Sequence, residues 1–372
     1  MKHLVLLGGG HAHLQVLREF AATPLAAARV TLVSPHPALL YSGMVPGLVA
    51  GHYAVDDCSI PLAPLAAAAK AGLVAASAMA VDTASRSVTL SDGQVLRYDA
   101  LSLDTGGTMD RDAIPGAREH ALFIRPVEHF ARLVPDLFAL SEGRVLDVVT
   151  IGGGAGGVEL ALALQHRLGE RARVSVLTGG PPPLADYAPA VQARGRRALR
   201  RLGVTVFEHS CVHVSATHVT LGEQGGRLAC DAAVVAIGST APAWLRGSGL
   251  ALDEQGFVAT GPTLQSTSHA EVFAAGDVAT RLDAPHPRSG VYAVRAGPPL
   301  ALNLRRFVAG GQLQPHVAQK RSLNLLSCGR RYAIASWGNW SAEGRWVWWW
   351  KDRIDRGFVR SFVDGSHHPR SH

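Results

Sequence analysis

Cysteine is scarce in this chain, and its spacing excludes several kinds of chemistry. Cys58, Cys211, Cys230 and Cys328 form no Cys-x-x-Cys pair, so we predict neither a disulfide framework nor a redox dithiol. No zinc-ligand spacing and no RNA-binding motif occur, so we expect no metal site and no nucleic-acid partner. No apolar run reaches the roughly 20 residues of a membrane-spanning helix. The N-terminus also lacks the pattern of a signal peptide, so a cytoplasmic location is expected.

The composition is that of a folded protein with large cores. Hydrophobic residues make up 47% of the 372 residues and charged residues 17%, which suffices for two domains. The net charge of +7 would suit nucleic acid or an anionic membrane. Five arginines between residues 194 and 201 contribute much of it, and their spacing predicts one solvated face of a helix.

The chain opens with the pattern of a strand, a glycine turn and a helix. Residues 4–7 are apolar, three glycines follow from Gly8 to Gly10, and residues 13–20 can form a helix. This is the order of a dinucleotide-binding unit, in which Gly10 would let a pyrophosphate approach the helix N-terminus. His13 stands where the third glycine is expected, so we expect helix and strand to separate slightly. Taken alone, the loop fits a nucleotide site and a plain turn equally well.

A second copy of the pattern begins at residue 148. The apolar run 148–151 is followed by Gly152, Gly154 and Gly157, which complete Gly-x-Gly-x-x-Gly, and by a helix pattern up to Leu168. Two such units predict two dinucleotides, one held tightly and one exchanging.

Two polar stretches follow the next strand of the first unit. Residues 30–33 form that strand, and Ser34-Pro35 stands where the fingerprint normally carries an acid for the adenosine ribose. A serine hydroxyl can still hydrogen-bond a ribose, but more weakly than a carboxylate. Residues 41–47 form a glycine-containing loop at the carboxyl end of the sheet, where ligands bind in open α/β folds. An ordinary connecting loop remains the alternative.

The rest of the chain repeats this plan. We predict the following further elements: a hairpin at 87–98, a strand ending in Thr105-Gly106-Gly107, strands at 174–177, 200–206 and 232–237, a short strand ending at Gly276-Asp277, a helix from Tyr292 that bends or restarts at 297–299, two strands within 322–340 around Gly329, a helix at 346–362 and a disordered tail at 365–372.

These elements predict an α/β fold with two Rossmann-like, three-layer nucleotide-binding domains, the second inserted in the first. The first domain would comprise residues 1–112 and 259–320, and the second residues 113–258. Residues 321–372 would form a C-terminal region with an amphipathic helix.

Several motifs together resemble those of a known superfamily. The two glycine loops, the Thr-Gly-Gly ending and Val-Phe-Ala-Ala-Gly-Asp at 272–277 resemble the pyridine nucleotide-disulfide oxidoreductases over nearly the whole chain. Gly-Gly-Gly-Ala-Gly-Gly-Val-Glu-Leu-Ala at 152–161, without a dithiol, looks like type II NADH dehydrogenases and sulfide:quinone reductases. Three more stretches, 8–13, 41–53 and 351–356, look like the flavoprotein module associated with selenide, water dikinase.

The resemblance implies that FAD lies on the first loop. Gly8, Gly10 and Ala12 would lie against its pyrophosphate, Ser34 would replace the ribose acid, and Asp277 would accept hydrogen bonds from the ribitol. A helix N-cap is the alternative role of Asp277. The full implied FAD set is Gly8, Gly10, His11, Ala12, Ser34, Pro35, Ser42, Gly43, Met44, Ala78, Thr105, Gly106, Gly276 and Asp277.

The resemblance places NADH or NADPH on Gly152, Gly154 and Gly157. Glu159 is the implied catalytic residue, because an acid at this place faces the nicotinamide in the resembling enzymes. Its alternative role is that of a first-turn acid favoured by the helix dipole. No acid or arginine follows Leu177, which leaves NADH, NADPH or an unused second site open.

Three functions are compatible with these observations. The first is an FAD-dependent oxidoreductase passing electrons from NAD(P)H through the flavin to a quinone or another small acceptor. The second uses a reduced sulfur or selenium donor and needs a cysteine near the flavin, Cys328 or Cys58. The third is a non-enzymatic flavin-binding partner of a selenium-handling protein such as selenide, water dikinase.

The predicted C-terminal helix suggests a membrane contact. Four tryptophans crowd residues 346–350, basic residues follow, and Ile354, Phe358 and Phe362 are spaced by four residues. Such a helix suits the inner face of a membrane, where a quinone would be available. Packing on the flavin domain and a homodimer interface are the alternatives.

Overall fold

The computed structural model describes residues 1–26, 28–222 and 225–363. The predicted tail at 365–372 lies outside these residues. The helices of four or more residues in the described part are α1 His11–Ala22, α2 Val45–Val49, α3 Val55–Cys58, α4 Leu62–Ala68, α5 Ala117–His120, α6 Val127–Leu140, α7 Ala155–Leu168, α8 Pro189–Leu202, α9 Gly290–Ala309 and α10 Arg345–Val363. Short 3₁₀ turns cover Ser42–Met44, Gly169–Arg171, Ala243–Leu245 and Gly276–Val278.

Two five-stranded parallel sheets organise the chain. The first has the spatial order β19-β9-β1-β2-β5, formed by β1 Lys2–Leu7, β2 Ala28–Val33, β5 Ala71–Val74, β9 Ala100–Leu103 and β19 Val272–Ala274. The second has the order β10-β17-β11-β12-β13, formed by β10 Ala121–Phe123, β11 Leu146–Ile151, β12 Ala172–Leu177, β13 Thr205–Phe207 and β17 Ala232–Val235.

The remaining strands form small sheets. They are β3 Ala38–Leu40 with β4 Ser59–Pro61, β6 Ala78–Asp82 with β7 Ser87–Leu90 and β8 Val95–Arg97, β14 Cys211–Val214 with β15 His218–Leu221 and β16 Gly226–Ala229, β18 Val258–Thr260 with β20 Ala279–Arg281, and β21 Leu323–Ser327 with β22 Ala333–Trp337 and β23 Trp340–Gly344.

Each parallel sheet lies between a helical layer and an antiparallel layer. Successive side chains of a strand point to opposite faces. In β1, Leu4 and Leu6 therefore join the core with α1, whereas Val5 and Leu7 join a second core with β6 and β7. In β11, Val148 faces the helices and Val149 faces the β14–β16 sheet. The predicted three-layer α/β fold class is confirmed.

The chain returns to the first sheet after the whole of the second sheet has been completed. Strand β19 pairs in parallel with β9, with Val272 opposite Leu101 and Ala274 opposite Leu103. The turn Gly276–Val278 thereby reaches the same sheet edge as the first glycine loop. The domain boundaries at 112/113, 258/259 and 320/321 stay a prediction.

The two glycine loops differ at their helices. In the second loop, a Cβ on Gly157 would collide with the carbonyl oxygen of Gly152, so helix and strand touch there. In the first, His13 fills the equivalent place, and its buried ring bonds the Gly8 carbonyl through Nδ1 at 2.6 Å and Ser102 Oγ through Nε2 at 2.8 Å. The carbonyl only accepts, so Nδ1 donates. The imidazole thus bridges helix and strand where a glycine would let them touch.

One expectation about secondary structure was wrong, and one of two alternatives for α9 is excluded. Residues 200–202 belong to α8, which ends at the left-handed Gly203, and the strand begins only at Thr205. The helix α9 does not restart at 297–299 but continues from Gly290 to Ala309 with Pro298 and Pro299 inside it. Gly297 lies where α1 crosses α9, and a Cβ there would meet the side chain of Gln15. Close helix packing therefore explains this glycine better than helix termination.

The C-terminal region contains one strand more than predicted. Besides β21 and β22, strand β23 pairs with β22, with Trp337 opposite Trp340. Helix α10 contacts this sheet and also β4 and α3. Arg194 and Arg197 of α8 both reach Glu343 on β23, so only part of the predicted basic helix face is solvated. No helix among the described residues has the length and hydropathy needed to cross a membrane.

Candidate functional site

A cavity of about 670 Å³ lies at the carboxyl end of the first sheet and also reaches the first turn of α7. Of the residues predicted to bind cofactor or to act in catalysis, those that line it are Gly8, Gly10, His11, Ser34, Pro35, Ser42, Ala78, Thr105, Gly106, Asp277 and Glu159. Residues from both sheets, which are distant in sequence, therefore share one cavity.

Four of the remaining predicted residues do not line this cavity. Ala12 and Met44 are fully buried, and the Gly43 carbonyl accepts a hydrogen bond from Lys351 Nζ at 2.7 Å. Gly276 has a left-handed backbone, with φ of 72°, and an added Cβ would come within 2.6 Å of Asp104 Oδ1. These residues shape the cavity from outside it.

Asp104 is a central residue that the sequence reasoning missed. Its buried carboxylate accepts the backbone N–H of His13 at 2.8 Å and that of Ala12, so it caps α1 from the neighbouring strand. A Cβ on Gly8 or Gly10 would collide with Asp104, which explains both glycines by packing within the protein. Burial raises the pKa of Asp104 well above its usual range, although the two N–H bonds lower it in part. An acid directly after a buried strand, Leu-Ser-Leu-Asp, was the available signal.

The opposite wall carries an ion pair between the two sheets. Asp277 Oδ2 accepts from Arg125 Nη2 at 2.9 Å, and both side chains line the cavity. Arg125 follows β10 of the second sheet and was not predicted. Asp277 therefore helps to join the two sheets at the cavity.

The predicted ribose end is also changed by the fold. The buried Ser34 hydroxyl donates to the His36 carbonyl at 3.0 Å, so a ribose would compete with this bond. Glu128, in the first turn of α6, lies 3.8 Å from His36 Nε2 and accepts the Leu40 N–H at 3.2 Å. The structure thus brings an acid to this end of the cavity from a distant helix.

His11 presents an unused polar atom. Its Nε2 is buried and has no hydrogen-bond partner among the described residues, while its ring lies edge-on to Tyr41 at 5.5 Å. Burial lowers the pKa of His11 to about 4, with Asp277 acting in the opposite direction. The imidazole is therefore neutral near pH 7, and Nε2 is free to bond a ligand in the cavity.

Glu159 lies on the second glycine helix and lines the same cavity. Its Oε1 accepts the Ser327 N–H at 2.6 Å. Burial raises the pKa of Glu159 to about 7, while the Lys351 charge and the Ser327 bond oppose this. A carboxyl group that titrates near neutral pH can both give and take a proton.

A network from α10 holds the loop beside His11. Lys351 Nζ donates to the Gly43 carbonyl and to Asp355 Oδ2, both at 2.7 Å, and Asp355 is also hydrogen-bonded to Tyr41. Lys351 and Asp355 are both buried. Breaking one partner of such a pair leaves an uncompensated buried charge. The network therefore fixes one wall of the cavity from the C-terminal region.

The second glycine loop leaves room for a ligand. A Cβ on Gly154 would meet no atom within 4 Å, and α7 begins immediately after it without a side-chain cap. Free N–H groups at a helix N-terminus are suited to a pyrophosphate. Gly152, Gly154 and Gly157 do not line the cavity described above, but Gly156 and Glu159 of the same segment do.

The cysteines are not placed for a reactive role. Cys58 and Cys328 are buried, and burial raises the pKa of both thiols, that of Cys58 to about 12. A thiol in this environment is a poor nucleophile. Among the described residues no cluster of His, Cys, Asp and Glu could hold a metal ion.

Comparisons with known proteins agree with this geometry. The family described as pyridine nucleotide-disulphide oxidoreductase matches residues 2–297. Demethylphylloquinone reductase of Synechocystis is 27% identical over 293 residues, which cover 76% of this chain and 72% of that protein. Sulfide:quinone oxidoreductase of Aquifex aeolicus superposes with a TM-score of 0.82 at 17% identity, over 100% of this chain and 93% of the other. NDH2 of Plasmodium falciparum in complex with NADH has a TM-score of 0.82 at 13% identity, with coverages of 100% and 99%.

The pKa of Glu159 leads to a prediction about stability. The pKa in the folded protein, about 7, exceeds the ordinary 4.5, so the folded state binds this proton more tightly. Its contribution to the free energy of unfolding is full below pH 4.5 and is lost as the pH rises through 7. The free energy of unfolding of wild type should therefore fall relative to that of Glu159→Gln, by at most about 3 kcal/mol, between about pH 4.5 and about pH 8.5.

Urea unfolding of both proteins across this pH range measures the difference. Glu170→Gln, which removes an exposed acid just beyond the end of α7, is the control and should follow wild type. If the free energies of unfolding of wild type and Glu159→Gln changed with pH in parallel, the raised pKa of Glu159 would be contradicted.

Proposed function

Since the chain belongs to the pyridine nucleotide-disulphide oxidoreductase family, we propose that it is an FAD-dependent oxidoreductase that passes electrons from NADH or NADPH through the flavin to a quinone or another small acceptor. FAD and NAD(P)H are the cofactors of this family and confirm the cofactor prediction. The relatives include a demethylphylloquinone reductase and NADH dehydrogenase-like proteins. Which nicotinamide nucleotide is used, and the identity of the acceptor, are parts of the proposal.

One observation carries the proposal: a single cavity is lined by the first turns of both glycine helices, α1 and α7. Dinucleotides bound at these two helix N-termini would bring their reactive rings towards each other. The cavity residues also fit FAD, because the His11 Nε2 lacks a partner and Asp277 presents a carboxylate.

In this proposal each residue has a limited task. Gly8 and Gly10 keep the first loop close to Asp104, and this fixes the α1 N-terminus for a pyrophosphate. His11 and Asp277 would hold the flavin and ribitol, and Glu159 would hold or release a proton at its carboxyl group. A flavin held by these residues would supply the two-electron transfer chemistry.

The donor step can be tested by anaerobic titration of the purified holoprotein with NADH or NADPH. We expect one of them to bleach the flavin absorbance. Gly154→Val should retain FAD but should need a nucleotide concentration about tenfold higher or more to bleach the flavin. The new side chain occupies space where the pyrophosphate of the nucleotide would approach.

Gly143→Val is the matched control, since it also has open space around its Cβ but precedes β11 and does not stand at the N-terminus of α7. Asp277→Ala should lower the FAD content of the purified protein. A wild-type flavin that neither nucleotide bleaches would refute the proposed electron donor.

We also propose a membrane contact within residues 346–362. The residues that would touch the membrane differ from the apolar stripe predicted from the sequence. Phe358 packs on Tyr41 at 4.6 Å between ring centroids and Phe362 is buried, so this part of the apolar stripe faces the protein. Trp346 and Trp349 remain 55% and 51% exposed. Indole rings at such positions suit the headgroup region of a membrane.

Co-sedimentation with vesicles of phosphatidylglycerol and phosphatidylcholine tests this contact. Wild type should sediment, and the double variant Trp346→Ser/Trp349→Ser should remain in the supernatant. Val95→Ser/Leu140→Ser removes two exposed apolar side chains elsewhere and should sediment like wild type. Equal sedimentation of all three proteins would show that Trp346 and Trp349 do not make the contact, and sedimentation of none would favour a soluble acceptor.

The association with selenide, water dikinase stays a prediction, as does a homodimer. Two of the resembling motifs contact each other: Tyr53 of the first donates to Asp352 of the second at 2.9 Å, and Lys351 bonds Gly43. This contact supports one shared structural unit. In size-exclusion chromatography, the chain alone should elute as a homodimer, and its mixture with selenide, water dikinase should elute as a complex. Elution as separate monomers would argue against both assemblies.

A further inference from the structure

A second cavity, of about 930 Å³, lies between the N-terminal half of α9 and the middle of α10. We call it the basic cavity. Gly290, the first residue of α9, lines both this cavity and the one described above. Tyr41 lines the basic cavity, and its ring contacts His11, which lines the other. The two cavities therefore share a thin wall.

The charge of this cavity has one sign. The basic side chains that line it are Arg18, Arg281, Arg295, Arg353, His286 and His316, and none of the described lining residues is Asp or Glu. Arg295 and Arg353 are exposed and form no ion pair with a described residue. A concave surface lined by one sign of charge concentrates ligands of the opposite sign.

Two side chains in the wall have buried polar atoms without hydrogen-bond partners among the described residues. Arg281 is 4% exposed and forms a bidentate pair with Asp283 through Nε and Nη2, at 2.9 and 2.7 Å. Its Nη1 is buried and has no hydrogen-bond partner among the described residues. The same holds for both polar atoms of the Gln319 amide. Such buried donors are normally satisfied, which indicates a missing ligand atom or water.

Rings form the rest of the wall. His286 and Tyr292 stack with centroids 4.1 Å apart and planes 5° apart. Trp350 and Phe358 of α10 line the same cavity. Flat side chains of this kind pack well on a flat ligand. The pKa of His316 is lowered by burial and by the nearby Arg281 and His286 charges, against Asp283.

We propose that the basic cavity binds a planar aromatic molecule carrying one acidic group, such as a carboxylate, sulfonate or phosphate. The acidic group would accept from Arg281 Nη1, with Arg295 and Arg353 supplying further positive charge. The ring system would lie among Tyr292, Trp350 and Phe358. Such a ligand would be held on the far side of the Gly290 wall from the first cavity.

The proposal is tested by calorimetric titration of the holoprotein, without NADH or NADPH, with three probes. They are 2-naphthalenesulfonate, the neutral 2-naphthalenesulfonamide of the same shape, and methanesulfonate, which has the charge but no ring. We expect the first to bind at least about tenfold more tightly than either of the others. Its Kd should rise with salt concentration.

Variants locate the site. Arg295→Gln on the exposed side of α9 should weaken 2-naphthalenesulfonate binding about tenfold, and Arg281→Gln should do so at least as strongly. Arg171→Gln removes an exposed arginine that lines neither cavity and should bind like wild type. Arg295→Gln keeps the test decisive if the buried Arg281 proves necessary for folding.

The proposal would be overturned if the naphthalenesulfonate did not bind, or if the sulfonamide bound equally well. It would also be overturned if Arg295→Gln and a folded Arg281→Gln both bound the naphthalenesulfonate like wild type. Release of flavin during the titration, seen in the absorbance spectrum, would assign the probe to the first cavity and would also overturn it. Because no electron donor is present, the result is independent of the proposed reduction of the flavin.

Discussion

The buried carboxylate of Asp104 is the constraint on which the first cavity depends. It receives backbone N–H groups from the first turn of α1, and Gly10 and Gly276 crowd around it, while Gly8 lies against the Asp104 backbone carbonyl. Burying this group costs free energy unless hydrogen bonds compensate it. The loops after β1, β9 and β19 must therefore approach closely, and glycine is the residue that permits this. Asp104 thus joins the N-terminus of α1, the first glycine loop and the turn at Gly276 at a single sheet edge.

The C-terminal region completes the cavity by a second buried polar contact. Lys351 and Asp355 of α10 bond Gly43 and Tyr41, about 310 residues earlier in the chain. A buried ion pair contributes little net stability but is costly to break on one side, so it specifies one arrangement. The arrangement fixes the loop beside His11 and places the Lys351 charge where it opposes the raised pKa of Glu159. A helix that could have been a peripheral attachment is thereby part of the site.

The internal repeat shows how one plan is used with two different chemistries. In the second loop, Gly157 lies directly against the Gly152 carbonyl, so helix and strand touch. In the first loop, the His13 ring lies between helix and strand and hydrogen-bonds the equivalent carbonyl, that of Gly8. The first sheet carries the buried acid and the unpartnered His11. The second leaves open space beside Gly154. That one dinucleotide is held tightly and the other exchanges stays a prediction.

The sequence by itself determined the two strand–glycine–helix units, the hairpin at 87–98 and the fold class, because these depend on local patterns of apolar residues and glycine. The resemblance to a known superfamily further implied eleven residues that line the cavity, at the sheet edge where loops from the carboxyl ends of parallel strands meet. Only the tertiary structure brought Arg125 and Glu128 to that wall and Lys351 to the loop beside it, because their neighbours are 88 to 308 positions away in sequence. It also decided that Gly297 lies at a helix crossing rather than a break, and that Phe358 packs inward. Spacing along a helix defines a face, but only the packed neighbours determine what that face meets.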